Sequence, residues 1–146
     1  MTPQISVLMP TYNQAAFIRR ALESLCTQTF TNWELILIDD GSTDETPALV
    51  TPYLSDGRIR HRRLPQNRGL GAALNTALDM ARAPYIAYLP SDDVYYENHL
   101  QSLCDCVEES PEAVLAFSGV RYHYNRLSNG RIPLPRHSLQ LVQVLH

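Results

Sequence analysis

The residues best suited to chemistry in this sequence are two adjacent aspartates, Asp92 and Asp93. They follow the apolar run 85–89 and have no basic residue beside them. Neighbouring carboxylates repel each other, and a divalent cation relieves that repulsion; their hard oxygen atoms favour Mg²⁺ or Mn²⁺ over zinc. Few protein ligands are needed if a diphosphate completes the coordination sphere. The alternative is an acidic surface turn that caps a helix beginning near residue 97.

A second pair of aspartates, Asp39 and Asp40, follows the apolar run 33–38 and precedes Gly41. In open parallel sheets, ligands bind outside the carboxyl ends of the strands, so Asp40 is expected in that crevice. Gly41 allows the backbone to turn sharply beside it. The alternative is that Asp39, Asp40 or Ser42 caps the helix that follows.

Segment 67–71, Asn-Arg-Gly-Leu-Gly, is predicted to open a helix. Its two glycines allow backbone amides to approach an anion, and Arg68 adds positive charge. The segment does not fit a dinucleotide-binding fingerprint, because it follows the third strand and Leu74 occupies the third small position. The alternative is that Arg68 is an exposed loop residue without a ligand.

The spacing of apolar residues predicts alternating strands and helices. Continuous apolar runs indicate buried strands, and apolar residues at intervals of three and four indicate helices. Strands are predicted at 5–9, 33–38, 58–64, 85–89 and 113–120, and helices at 14–26, 44–54, 68–81 and 97–109. An Asn-Gly hairpin is predicted at 128–131, and the apolar segment 139–145 has no evident partner.

This alternation predicts an α/β fold with a mostly parallel sheet flanked by helices. A polar cluster follows each of the first four strands, and parallel strands bring their carboxyl ends to one edge of the sheet. The clusters are Thr-Tyr-Asn at 11–13, Asp-Asp at 39–40, Asn-Arg-Gly at 67–69 and Ser-Asp-Asp at 91–93. We therefore expect these clusters to form one site.

Length and composition limit the classes of protein. A chain of 146 residues with 45% hydrophobic residues is long enough for one compact domain. The net charge of −3 argues against a general nucleic-acid binder. No apolar segment of the sequence is long enough to cross a membrane. The three cysteines have no disulfide-like spacing, which favours reduced thiols and a cytoplasmic location.

The order and spacing of these motifs resemble one known family. The motifs are Ile-Ser-Val-Leu-Met-Pro-Thr-Tyr-Asn at 5–13, Gln-Thr-Phe at 28–30, Trp-Glu-Leu-Ile-Leu-Ile-Asp-Asp-Gly-Ser-Thr-Asp at 33–44, Asn-Arg-Gly at 67–69 with Asn75, and Leu-Pro-Ser-Asp-Asp at 89–93. Together they resemble the nucleotide-sugar-binding half of a family 2 inverting glycosyltransferase with the GT-A (Rossmann-like) fold. The resemblance implies a donor-binding domain at 1–120 and the beginning of a truncated acceptor-side region at 121–146.

The resemblance also implies roles for individual residues. It implies that the loop of Pro10, Thr11, Tyr12 and Asn13 packs around the base and ribose, and that Asp40 binds the uracil or ribose. It also implies that the loop containing Arg68 helps to hold the nucleotide. Of the acidic pair, Asp92 is expected to reach the ribose or the metal shell, and Asp93 is expected to coordinate Mn²⁺ or Mg²⁺ on the diphosphate. Pro90 stands where the family more often has an acid.

The implied reaction is inverting transfer of a hexose from a nucleotide sugar, with UDP favoured, to a hydroxyl of an unidentified saccharide, lipid or protein acceptor in polysaccharide or cell-envelope glycan synthesis. The family places its catalytic base in the acceptor half, and no residue of this chain matches that base. We therefore expect a chain that binds the donor and transfers no sugar. The apolar segment 139–145 is also expected to make the chain associate with itself or with a partner. The alternative is a non-catalytic nucleotide-binding module.

Overall fold

The structure, a computed structural model, describes residues 2–110 and 112–119 and the backbone of residues 143–145. The elements in chain order are β1 (Ile5–Thr11), α1 (Ile18–Cys26), β2 (Trp33–Asp39), α2 (Thr46–Val50), a 3₁₀ turn (Thr51–Ser55), β3 (Ile59–Arg63), α3 (Leu70–Met80), β4 (Tyr85–Tyr88), α4 (His99–Glu109), β5 (Leu115–Phe117) and β6 (Gln143–Leu145). The chain divides into two compact units, residues 1–99 and residues 100–146.

The first unit is built on a parallel sheet with the strand order β3-β2-β1-β4. Ile5 of β1 lies opposite Trp33 of β2 and Tyr85 of β4, so these three strands begin at the same level. Every residue of β1 and β2 is buried, as expected for central strands that are covered on both faces. The predicted α/β fold with a mostly parallel sheet flanked by helices is confirmed.

The helices cover the sheet through apolar stripes. Leu8, Ile36 and Ile38 form one core cluster with Ala73 and Ala77 of α3. Because successive strand residues point to opposite faces, the residues between them on β1 and β2 face the other layer. The α1 helix buries the stripe Ile18, Ala21, Leu22 and Leu25. These layers fix the strands whose carboxyl ends carry the polar clusters.

A buried glutamate, paired with a half-exposed arginine, connects strands at the end of the sheet away from those clusters. Glu34 of β2 accepts hydrogen bonds at Oε2 from Arg82 Nη2 at 2.7 Å and at Oε1 from Ser6 Oγ at 2.8 Å. The side chain of Glu34 is only 2% exposed. Burial by itself raises the pKa of Glu34, but the hydrogen bonds from Arg82 and Ser6 outweigh it, so the pKa lies below its ordinary value.

The first helix begins later than its apolar spacing predicts. The helix predicted at 14–26 starts at Ile18, and residues 15–17 form a turn. The Gln14 amide donates to Thr46 Oγ1 at 2.9 Å, so it is bonded outside the helix. The predicted boundary was therefore wrong: Gln14 O accepts hydrogen bonds from Phe17 N and Ile18 N at 2.9 Å, which close a separate turn, and the continuous helix begins only at Ile18.

The second helix is shorter than the predicted 44–54. It covers Thr46–Val50, and the 3₁₀ turn Thr51–Ser55 follows it. Pro52 lacks an amide hydrogen and cannot donate to an α-helical bond, which is consistent with the change of geometry there.

In the second unit, β5 pairs antiparallel with β6, so that Leu115 lies opposite Leu145. The expectation that segment 139–145 lacks a partner is corrected for residues 143–145. The predicted Asn-Gly hairpin at 128–131 lies outside the described residues. Among the helices that the structure describes, none combines the length and the apolar character needed to cross a membrane.

Candidate functional site

A cleft of about 260 Å³ lies at the carboxyl ends of the parallel strands. Its lining comes from all four predicted clusters and consists of Pro10, Thr11, Tyr12, Gln14, Asp40, Asn67, Gly69, Leu70, Ala73, Tyr88, Pro90, Ser91 and Asp92. The tertiary structure thus brings together residues from Pro10 to Asp92, which are 82 positions apart in the chain, as the strand alternation predicted.

Asp40, which directly follows β2, binds the loop that leads into α3. Its Oδ1 accepts a hydrogen bond from Arg68 N at 2.9 Å, and its Oδ2 accepts one from Gly69 N at 2.8 Å. The residue is 3% exposed and lines the cleft. Asp40 therefore does not cap α2, the helix that directly follows it; it holds the loop that enters α3.

Asp39 points to the opposite face and closes its own turn. Its Oδ1 accepts a hydrogen bond from Ser42 N at 2.8 Å, and its Oδ2 lies 3.4 Å from Arg63 Nε. Arg63 Nη2 also donates to Ser42 O at 2.6 Å. The two adjacent carboxylates thus separate, because consecutive residues at a strand end face opposite sides. Only Asp40 reaches the cleft.

Gly41 lies in the turn after β2 and allows the backbone of Gln66 to approach it closely. Its φ is +76°, and a Cβ atom placed there would lie 2.7 Å from the backbone carbon of Gln66. A side chain at position 41 would therefore have both an unfavourable backbone conformation and a steric clash.

The loop after β1 contributes an unpaired hydroxyl and an aromatic ring. Thr11 is 3% exposed, and its Oγ1 has no hydrogen-bond partner among the described residues. Buried polar atoms normally have a partner, so this buried hydroxyl is an exception among the described residues. Tyr12 is 42% exposed and lines the same cleft.

Tyr88 also lines the cleft, and sequence reasoning missed it. It is the last residue of β4, so the rule that strand ends face the ligand was the available signal. Burial, followed by the nearby charges of Asp92 and Asp93, raises the pKa of the Tyr88 phenol. Gln14, Leu70 and Ala73 were likewise absent from the predicted site.

The acidic pair after β4 is exposed, and its two members differ in position. Asp92 lines the cleft, whereas Asp93 lies outside the lining. Burial and, after it, the charge of Asp92 raise the pKa of Asp93 above its ordinary value. Tyr95 Oη donates to Tyr88 O at 2.8 Å and fastens the turn between them.

The carboxylates of Asp92 and Asp93 meet the chemical requirement for Mg²⁺ or Mn²⁺ only in part. Both are hard oxygen ligands, and their mutual repulsion is what a bound cation would relieve. Among the described residues, however, no group of three or more His, Cys, Asp or Glu side chains could hold a metal ion. A cation at this turn would need ligand atoms from a bound diphosphate.

Asn13 and Arg68 lie beside the cleft but outside its lining. Asn13 Oδ1 accepts a hydrogen bond from Thr43 N at 2.8 Å, so its amide is directed to the loop after β2. The Arg68 side chain is exposed, and its backbone amide is bonded to Asp40. The direct nucleotide contacts expected of these two residues therefore stay predictions.

An open parallel α/β sheet with a polar cleft at the carboxyl ends of its strands is typical of nucleotide-binding domains. The sequence profile of "Glycosyl transferase family 2" matches residues 6–143. The chain belongs to this family, and its fold is the GT-A fold.

Relatives and solved structures agree with this assignment. An uncharacterized glycosyltransferase of Rickettsia felis is 37% identical over 107 residues, which are 73% of this chain and 18% of that protein. S. aureus TarS 1–349, solved in complex with UDP-GlcNAc, is similar with a TM-score of 0.77 and 28% identity over 86% of this chain and 37% of TarS 1–349. The mannosyltransferase PcManGT of Pyrobaculum calidifontis, solved with GDP-Man and Mn²⁺, has a TM-score of 0.73 and 26% identity over 84% of this chain and 36% of its own.

The chain spans less than half the length of these proteins. The family profile spans every residue that lines the cleft.

Proposed function

We propose that the cleft binds a nucleoside diphosphate sugar, most favourably a UDP-sugar, as the donor half of an inverting glycosyltransferase. The observation that carries the proposal is the cleft itself, which is lined by Asp40, Thr11 and Tyr12 together. These groups provide an acceptor, a hydroxyl and an aromatic surface, which suit a ribose and a base. The structures solved with UDP-GlcNAc and GDP-Man support this donor class.

Within this proposal, Pro10, Thr11 and Tyr12 form the wall for the nucleoside, and Asp40 accepts a hydrogen bond from the base or ribose. Both oxygens of Asp40 already bind backbone amides, but a carboxylate oxygen can accept a second bond. Arg68 is exposed beside the cleft entrance and adds positive charge near the diphosphate.

Asp92 and Asp93 are proposed to hold the metal end of the donor. Asp92 reaches the ribose or the metal shell from the cleft lining, and Asp93 supplies a carboxylate ligand for Mn²⁺ or Mg²⁺. When bound, the ion supplies charge neutralisation for the leaving diphosphate. Burial and, after it, the charge of Asp92 raise the pKa of Asp93, and both effects disfavour an unpaired carboxylate that a bound cation would stabilise.

The complete protein is proposed to transfer a hexose to a hydroxyl of a saccharide, lipid or protein acceptor with inversion, in polysaccharide or cell-envelope glycan synthesis in the cytoplasm. In such a reaction the acceptor oxygen attacks the anomeric carbon from the face opposite the diphosphate, and a general base takes its proton. No described residue is assigned as that base. Family membership supports the transferase activity.

The test is thermal stabilisation of the purified chain by nucleotides. UDP, GDP and ADP are compared with and without Mn²⁺, since a ligand that binds only the folded state adds about 2.7 kcal/mol at a hundredfold excess over its Kd. We expect stabilisation by UDP that increases with Mn²⁺. Absence of stabilisation by every nucleoside diphosphate would refute donor binding, whereas binding without transfer in the complete protein would favour a non-catalytic nucleotide-binding module.

A further inference from the structure

Asn13 connects the two loops that meet beside the cleft. Its backbone N donates to Ser42 Oγ at 3.0 Å, and its Oδ1 accepts a hydrogen bond from Thr43 N at 2.8 Å. Its φ is +52°, a left-handed conformation that Asn tolerates better than most residues. Position 13 therefore combines a backbone requirement with a side-chain requirement.

Two more hydrogen bonds continue this connection along the chain. Gln14 N donates to Thr46 Oγ1 at 2.9 Å, and Ala15 N donates to Asp44 Oδ2 at 3.1 Å. Three successive backbone N–H groups after β1 thus donate to side chains of the loop after β2 and of the first residue of α2. The loop after β1 has no regular secondary structure between Thr11 and α1, so these bonds provide its order.

The side chains that make these bonds lie outside the cleft, although the loop they order lines it. Neither Ser42 nor Asn13 is part of the cleft lining. Ser42 is fully buried, whereas Asn13 is exposed. Tyr12 and Gln14, which flank Asn13, both line the cleft. The conformation of Asn13 therefore sets where its two neighbours present their side chains.

We propose that Asn13 and Ser42 are positioning residues that hold the Thr11–Tyr12 segment in its donor-binding conformation without contacting the donor. The inference rests on the proposed function, because it requires the nucleotide to occupy this cleft. A loop that is ordered before binding loses less conformational entropy when the ligand binds, so its affinity is higher. Release of the connection would leave the same contacts available but would weaken binding.

The experiment measures UDP binding in the presence of Mn²⁺ by calorimetry in four variants. Asn13→Gly keeps the left-handed backbone conformation accessible and removes the side-chain oxygen that accepts the hydrogen bond from Thr43 N. Ser42→Ala removes the hydroxyl that accepts the hydrogen bond from the backbone N of Asn13. The double variant tests whether they act as one unit. Ser6→Ala is the matched control, because Ser6 is also a fully buried serine whose Oγ accepts a backbone amide, from Arg82 at 3.2 Å, at the far end of β1.

We expect each single variant to bind UDP about tenfold more weakly. The loss in the double variant should be smaller than the product of the two single losses, because both changes weaken the same contact between residue 13 and the loop after β2. Ser6→Ala should lower the melting temperature and leave UDP affinity unchanged. Circular dichroism confirms that each variant is folded at the temperature of measurement.

The outcomes separate this inference from the proposed function. A wild-type chain that binds none of UDP, GDP and ADP refutes the function itself. A wild type that binds UDP, with unchanged affinity in both single variants, overturns only the positioning role. Weakening in Asn13→Gly alone would assign Asn13 to direct contact with the nucleotide. Additive losses in the double variant, or an equal loss in Ser6→Ala, would also overturn the inference.

Discussion

Replacement of Asp40 by Asn tests whether this residue both builds the cleft and binds the donor. In the wild type, its two carboxylate oxygens accept hydrogen bonds from the amides of Arg68 and Gly69 at 2.9 and 2.8 Å. Asn has one acceptor oxygen and an NH₂ group. One of the two backbone amides then faces a donor, and the other loses a charged partner.

The expected cost follows from these two bonds. A hydrogen bond to a charged group contributes about 1.5 to 3 kcal/mol, whereas a neutral one contributes about 1 kcal/mol. Loss of one bond and weakening of the other should lower the free energy of unfolding by roughly 2 to 4 kcal/mol. If Asp40 also accepts a hydrogen bond from the donor, UDP affinity should fall by about 5- to 150-fold, or roughly 1 to 3 kcal/mol.

Urea denaturation and calorimetry with UDP measure the two effects separately. The matched control is Asp79→Asn, which makes the same change of charge at an exposed position of α3. The control should change stability by less than about 0.5 kcal/mol, as is usual for surface substitutions.

Equal stability of the Asp40 and Asp79 variants would refute the hydrogen-bond account of the loop. A large loss of stability with unchanged UDP affinity in the folded variant would instead refute the role of Asp40 as a ligand and leave it as a structural residue.

Three further predictions concern the metal, the pH dependence and the turn. Asp93→Ala should abolish the Mn²⁺-dependent part of UDP binding and leave the fold intact, and calorimetry with and without Mn²⁺ checks this; unchanged metal dependence would contradict the assignment. Hydrogen bonds from Arg82 and Ser6 outweigh burial and lower the pKa of Glu34 from 4.5. The ionised Glu34 should therefore stabilise the folded chain above about pH 4.5, and this contribution should disappear as the pH falls below that value. A Glu34→Gln variant whose free energy of unfolding depends on pH as in the wild type would refute this. Gly41→Ala should destabilise the chain by about 1 kcal/mol or more and weaken UDP binding, since its Cβ would meet the backbone of Gln66; wild-type melting and affinity would show that the turn adapts.

The central strands were predictable because buried strands appear in the sequence as continuous runs of apolar residues. A strand covered on both faces is continuously apolar, and β1 and β2 match the predicted runs closely. The start of α1 was not predictable in this way. The predicted helix extends back to Gln14, but the backbone N of Gln14 donates to the side chain of Thr46, 32 positions away.

The sequence by itself determined which segments meet at the cleft, because strand alternation places every polar cluster at the same edge of the sheet. It also placed Asp40 and Asp92 in the lining. Only the tertiary structure decided how these residues are used. Asp39 closes its own turn while Asp40 supports the entrance to α3, and Asn13 orders a loop whose neighbours line the cleft. The partners of these groups lie in distant parts of the chain, and local spacing contains no information about hydrogen bonds that form only when the loops are brought together.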